Sequence, residues 1–383
     1  MVESVLRLTG RRLTIALTAL VALLHGATTL HAGVRLSSDS QTYARWADLL
    51  VSQHFNIAAF LRQTSFVVPP VLYIGWVLIV ATAKALFGSS WAAGIVALNW
   101  VSFVAIVYLT LSTIQSVTRS AGPLFLGAML FAIGGDFLLF EPFVLSDLVF
   151  VALSTGIMAA AVRATPTALA VGSGLVVAAC FVRPTAAPLV VFWLLVLAVR
   201  NRPLTADQVR AGAAVVALLV AGAVLADALI MMRPGVWPFA AVSGWIHQLS
   251  GEYHRGVVVF DRPDTFAAPP VAYRSFVALT LWKWLCYFAP WARDYSVSHK
   301  ALSLLFFGPL YLFAAVALAT WRDRRLKALL VFYVLAFSAF HAVQQIDFDY
   351  RYRMPVLPAL IVMAGVGWTA LSARTRRASG RVR

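Results

Sequence analysis

Charge is what this chain has least of. Only 12% of its 383 residues are Asp, Glu, Lys or Arg, against 61% hydrophobic, and the mean hydropathy is +0.83. Soluble domains carry roughly a quarter charged residues, so an ordinary water-facing surface is excluded. Cysteine is nearly absent. Cys180 and Cys286 stand far apart in apolar segments, which argues against a disulfide framework or zinc knuckle and leaves two core thiols. Strand-type alternation is missing, which argues against a closed β-barrel. Also missing are a P-loop, a dinucleotide fingerprint, a zinc-protease helix motif and a nucleophile elbow. Chemistry in such a chain must draw on an activated substrate or a gradient. Neither an internal repeat of the transporter kind nor a low-complexity tract is visible.

What is present is a succession of long apolar runs. Leu13–Leu30, Trp91–Leu111 and Ala211–Met232 are nearly free of charge, and each, at about 20 residues, is long enough to cross a hydrocarbon core of roughly 30 Å as a helix. A net charge of +16 would suggest nucleic acid in a soluble chain. Here the basic residues cluster beside apolar runs, where they set topology, and no nucleic-acid partner is expected. The first run follows Arg7, Arg11 and Arg12. It is longer than a signal-peptide core and reads as a retained anchor.

With a cytoplasmic amino terminus and a first span over 13–31, residues 32–66 form a first outer loop. The segment 67–87 then decides the topology. If it crosses, the basic runs at Arg200/Arg202, Arg322/Arg324/Arg325/Lys327 and Arg374/Arg376/Arg377 all fall outside. If it lies along the outer interface they fall inside, as the positive-inside tendency asks. The second choice predicts spans near 91–117, 121–140, 142–162, 167–183, 184–199, 210–232, 301–320, 327–346 and 354–373, with a long outer loop over 233–300. The expectation is a single transmembrane domain over 1–383: an all-α polytopic bundle of about ten helices in the cell (inner) membrane, both termini cytoplasmic. Most acids then fall on the outer side, and Asp136 and Asp227 lie within spans near their outer ends, where they reach the surface or act as buried carboxylates.

Four places could carry chemistry. In the first loop, Asp39 is placed to cap a helix with an apolar face of Tyr43, Trp46, Ala47 and Leu50. That is a surface helix in its plainest reading. A carboxylate at this boundary can also deprotonate an acceptor or hold a divalent cation against a phosphate. Glu141 and Asp147 share a wet turn between spans. Arg183, followed by Pro184, interrupts a long apolar stretch; it is either a bare turn or a guanidinium suited to bidentate phosphate recognition. The cluster Asp347-Phe348-Asp349-Tyr350-Arg351-Tyr352-Arg353 enters the final helix as an interfacial belt or a headgroup clamp. With Lys84 and Arg183 it places several cations beside lipid, which suits an anionic lipid substrate.

The order of these elements resembles the GT-C superfamily of integral-membrane glycosyltransferases, in its protein mannosyltransferase and aminoarabinose-transferase-like branch. The likeness runs over most of the chain as short matches: Asp39 with Tyr43, Pro69-Pro70 with Tyr73, Leu86-Phe87-Gly88, Asp147, Arg183-Pro184-Thr185, and Arg351-Tyr352-Arg353-Met354-Pro355. It implies transfer of a sugar from a polyprenyl-phosphate donor to an acceptor on the non-cytoplasmic side. It implies Asp39 as base, Asp147 or Glu141 as the second acid, and Tyr43, Lys84, Arg183, Arg351 and Arg353 around the donor. It also supports interfacial helices over 67–87 and about 276–290. Two positions depart from the pattern: Ser40 stands where many relatives have a second acid, and Val68 stands before the prolines in place of a basic residue. A transporter or lipid flippase is the alternative, and it would need polar groups along a central path.

Overall fold

The computed structural model describes residues 2–64, 70–199, 221–222, 276–291, 295–343 and 350–380. The described residues are helical, with no strand beyond one bridge between Arg35 and Phe143. Six helices are long and apolar enough to cross a membrane: 9–32, the joined run 74–118, 121–140, 297–320, 324–342 and 351–375. This is a membrane protein by that measure. Two further apolar helices, Pro166–Val182 and Pro184–Val199, are shorter. Apart from 221–222, the expected span at 210–232, with Asp227, and most of the expected loop 233–300 lie outside the described residues.

The chain divides into two compact units. The first comprises 1–196, 305–333 and 354–383; the second comprises 197–304 and 334–353.

In the first unit, α1 (Val2–Ala32) packs on α5 (Trp91–Thr118) and α6 (Ala121–Ile133). Trp100 of α5 donates from Nε1 to the Ala22 carbonyl at 2.9 Å, while a Cβ at Gly10, near the start of α1, would meet the Gln115 side chain. The two helices are therefore antiparallel, with α5 beginning where α1 ends. These are the two ends of the first unit: the site end, where α5 begins, and the basic end, where it finishes. Gly134, at the close of α6, interrupts the expected 121–140 span, and the chain restarts as α7 (Gly135–Phe140) before a turn leads into α8 (Asp147–Arg163). Ala164, left-handed at φ 52°, reverses it into α9 (Pro166–Val182). Thr165 caps α9 by accepting from the Ala168 N–H. α9 thus returns to the site end, and a short 3-10 turn at Pro184–Ala186 leads into α10 (Ala187–Val199).

Over the site end lie α2 (Ser38–Ser52), α3 (Ile57–Gln63) and α4 (Ile74–Phe87). The buried face of α2 is Ser40, Tyr43, Ala47 and Leu50, close to the expected one. Its cap differs from expectation. Ser37 is the N-cap, joined with Ser40 in a reciprocal capping box, and Asp39 sits in the first turn. A serine three residues ahead of another serves both orphan amides at once. At its start α4 packs on the end of α9: a Cβ at Gly75 would lie 2.8 Å from the Phe181 carbonyl oxygen. At its finish Gly88, with positive φ, hands the chain straight into α5. Both ends of α4 therefore lie at the site end. The closing helices of the first unit are the later part of α12 (Val297–Thr320), the first half of α13 (Arg324–Val343) and α14 (Leu357–Gly380). Gly127 of α6 lets Leu111, Ile114 and Ile361 crowd against it, so α5, α6 and α14 approach closely.

In the second unit, α11 (Phe276–Tyr287) is held to the 3-10 stretch Tyr350–Val356 and to the end of α13. Tyr287 donates from its hydroxyl to the Tyr352 carbonyl at 3.1 Å, and Trp284 Nε1 donates to Ser338 Oγ at 3.0 Å.

Candidate functional site

The turn between α7 and α8 carries both candidate acids, and main-chain bonds fix its course. Arg35 N–H donates to Pro142 O at 2.9 Å, Val144 N–H donates to Arg35 O at 3.2 Å, and Asn99 Nδ2 donates to Phe143 O at 2.7 Å. The strand-like pairing of Arg35 with the turn ties the exit of α1 to the entry of α8.

Glu141 opens that turn and is closed off from solvent. Its Oε1 lies 2.7 Å from His25 Nδ1, and its Oε2 accepts from Thr29 Oγ1 at 2.7 Å. His25 Nε2 lies 2.8 Å from the Phe131 carbonyl, and the imidazole stacks on Phe103 with centroids 4.0 Å apart. A carbonyl only accepts, so Nε2 carries hydrogen, and one proton is held on the line between Nδ1 and Oε1. Both side chains are 0% exposed. His25 was not singled out from sequence; a histidine in the first span carries the same signal as Arg183, a costly side chain at membrane depth.

Asp147 is the first residue of α8, and Arg183 caps the end of α9. Because α8 and α9 are antiparallel neighbours, these ends meet. Arg183 Nη1 donates to Asp147 Oδ1, with the two side chains 6% and 4% exposed. The guanidinium lies 5.9 Å from the Phe150 ring centre.

Tyr43 of α2 lies within the electrostatic reach of this ion pair. Burial pushes its phenol above the usual range, Arg183 opposes the shift, and Tyr73, Asp147 and Asp39 add to it. The hydroxyl therefore stays protonated and can donate. Four of the expected residues, Asp39, Tyr43, Asp147 and Arg183, thus share one electrostatic neighbourhood. The Tyr43 ring packs at 5.5 Å from Tyr73, 6.0 Å from Trp46 and 6.3 Å from Trp76. Its hydroxyl makes no hydrogen bond among the described residues. Ser146 Oγ and Trp76 Nε1 are buried with no partner among the described residues. Ser146 stands at the N-cap of α8 but has helical φ and ψ, so its hydroxyl does not cap the helix.

Lys84 Nζ donates to Asp48 Oδ1 at 2.6 Å and to the Ala44 carbonyl at 3.0 Å, and sits 4.7 Å from the Trp91 ring centre. It clamps α2 against α4 and the start of α5. Arg351 and Arg353 belong to the second unit. Arg353 is 3% exposed and donates to the Ala289 carbonyl, while Arg351 lies 5.0 Å from the Tyr352 ring centre. Asp347 and Asp349 fall outside the described residues, as does Pro69. Asp136 is buried in the first turn of α7. Among the described residues no three His, Cys, Asp or Glu side chains gather as metal ligands would.

Comparison with protein-family models, with characterised proteins and with solved structures finds no match to this chain.

Proposed function

We propose that this protein is a glycosyltransferase that moves a sugar from a polyprenyl-phosphate donor to an acceptor, working at the site end, on the non-cytoplasmic side of the membrane. The observation that carries this reading is the buried Asp147–Arg183 pair, with Tyr43 in its electrostatic field and Ser146 next to Asp147 in the chain, two hydroxyls that make no hydrogen bond among the described residues. Buried donors without acceptors are costly, so an oxygen-rich ligand is the natural completion of the set. Arg183 would hold the departing phosphate, with Asp147 fixing the plane of its guanidinium. Asp39, partly exposed in the first turn of α2, would take the proton from the acceptor. Glu141 would act only on the shape of the turn. The basic residues gathered at the other end favour a cytoplasmic placement for that end and for both termini.

The test is transfer of radiolabelled sugar from a panel of polyprenyl-phosphate donors in membranes carrying wild type or Asp39→Ala at matched protein level. Transfer should fall by about 100-fold or more in the variant. Wild-type activity in Asp39→Ala would remove the base from the scheme.

One observation favours transport or lipid flipping instead: the His25–Glu141 pair is a proton-holding group between apolar helices. Under that reading, proteoliposomes would move lipid-linked cargo with no bond made or broken, and Glu141→Gln would stop the movement while Asp39→Ala would not.

A further inference from the structure

The basic end of the first unit holds a cavity that the transfer reading does not use. It measures about 240 Å³ and is lined by Val117 and Thr118 at the end of α5, Thr320, Trp321 and Arg322 at the end of α12, and Val366, Thr369 and Ala370 of α14. At that size it is smaller than a drug-sized pocket, which is typically about 300 Å³ or more, and it suits a headgroup. Its place matters as much as its size. It sits where the apolar helices end, half walled by valine, alanine and the indole of Trp321.

The polar lining is specific. Thr118, Thr320 and Thr369 each donate their hydroxyl hydrogen to their own helix, at 2.9 Å to Ile114 O, 2.7 Å to Val316 O and 3.0 Å to Gly365 O. What each hydroxyl can still offer a ligand is its oxygen as an acceptor. Arg322 is the cation in the lining. A matching ligand therefore carries an anionic group for the guanidinium and its own hydroxyl donors for the threonine oxygens.

The surroundings choose the sign of the whole headgroup. Arg119 follows Thr118 directly, Arg324, Arg325 and Lys327 follow Arg322, and Arg374 lies one turn beyond Ala370. Asp323, the acid in that same turn, accepts from Leu326 N–H at 3.0 Å and so caps α13. The carbonyl end of α12 would oppose an anion, but Lys327 Nζ covers it by donating to Leu318 O at 3.1 Å. An ammonium-bearing headgroup would meet this field unfavourably.

We infer that this cavity binds the headgroup of an anionic polyol phospholipid, with the phosphate on Arg322 and the glycerol hydroxyls donating to the threonine oxygens. Basic pockets between membrane helices are suited to such lipids. A soluble phosphate ester offers the same polar chemistry but no acyl chains for the apolar wall.

The experiment uses the full chain purified in detergent, titrated with phosphatidylglycerol, phosphatidic acid or phosphatidylcholine and read by native mass spectrometry and thermal shift. Wild type should bind phosphatidylglycerol about tenfold tighter than phosphatidylcholine, with Arg322→Ala reducing the two to parity. Thr369→Val, which keeps the shape and loses the acceptor, should bring phosphatidylglycerol down to the level of phosphatidic acid. Equal binding of all three lipids by wild type, or an Arg322→Ala protein that still discriminates, would overturn the assignment. Displacement of the lipid by glycerol phosphate at equal concentration would overturn its lipid source. None of these outcomes bears on sugar transfer.

Discussion

Glu141 and Asp147 lie in one turn, are both buried and each face a basic side chain, yet they are built in different ways. Every oxygen of Glu141 is met by α1, through His25 and Thr29, and the far nitrogen of His25 is met as well. Around Asp147, by contrast, the Ser146 and Tyr43 hydroxyls have no hydrogen-bond partner among the described residues. A completed network holds shape, while one with surplus donors is arranged for something that arrives. The second contrast is chemical. Histidine can give up its proton and arginine cannot.

That difference predicts opposite responses to the same isosteric change. Asp147→Asn leaves a buried guanidinium without its counter-charge, so it should lose about 3–5 kcal/mol of stability, seen as a large drop in the thermal unfolding midpoint of purified protein. Glu141→Ala should cost less, about 1–3 kcal/mol, because His25 can turn neutral and only hydrogen bonds are orphaned. Glu141→Gln should stay within about 1 kcal/mol of wild type, since the amide can donate to Nδ1 while its oxygen still accepts from Thr29. Equal losses in Asp147→Asn and Glu141→Gln would erase the comparison.

Smaller effects sharpen it further. Tyr43→Phe removes a hydroxyl that makes no bond within the described residues, so stability should hold to within about 0.5 kcal/mol while sugar transfer falls by about tenfold. A matching fall in stability would mean that the hydroxyl is structural. Lys84→Ala should be the mildest, about 0–1 kcal/mol, because Asp48 is 67% exposed and its ion pair is weakened by solvent. Limited proteolysis within α2 should report the loosened clamp.

Much of this was legible from residues alone, for reasons that can be named. The face of α2 follows from helical spacing, and Arg183 announced itself because a cation amid apolar residues needs a partner. Its partner, Asp147, lies far away in sequence, and only the antiparallel return of α9 brings the two together. His25 is hidden in the sequence because it sits in a run with the pattern of an anchor, and its partner is on the far side of the α6–α7 break. Residue type alone does not separate Ser37 from Asp39 as the cap, since both cap helices well and the choice depends on a backbone angle no composition reveals. The break at Gly134 was likewise hidden, since its flanks are equally apolar.

Gly75 sets a mechanical datum. The contact of α4 with Phe181 is main chain against main chain, so no rotamer exists on either side to take up an error. A single added methyl at that position would be read out as the movement of a whole helix, with Trp76 and Lys84 carried along. Tolerance elsewhere in the layer over the site end is a matter of repacking; at Gly75 it is a matter of position.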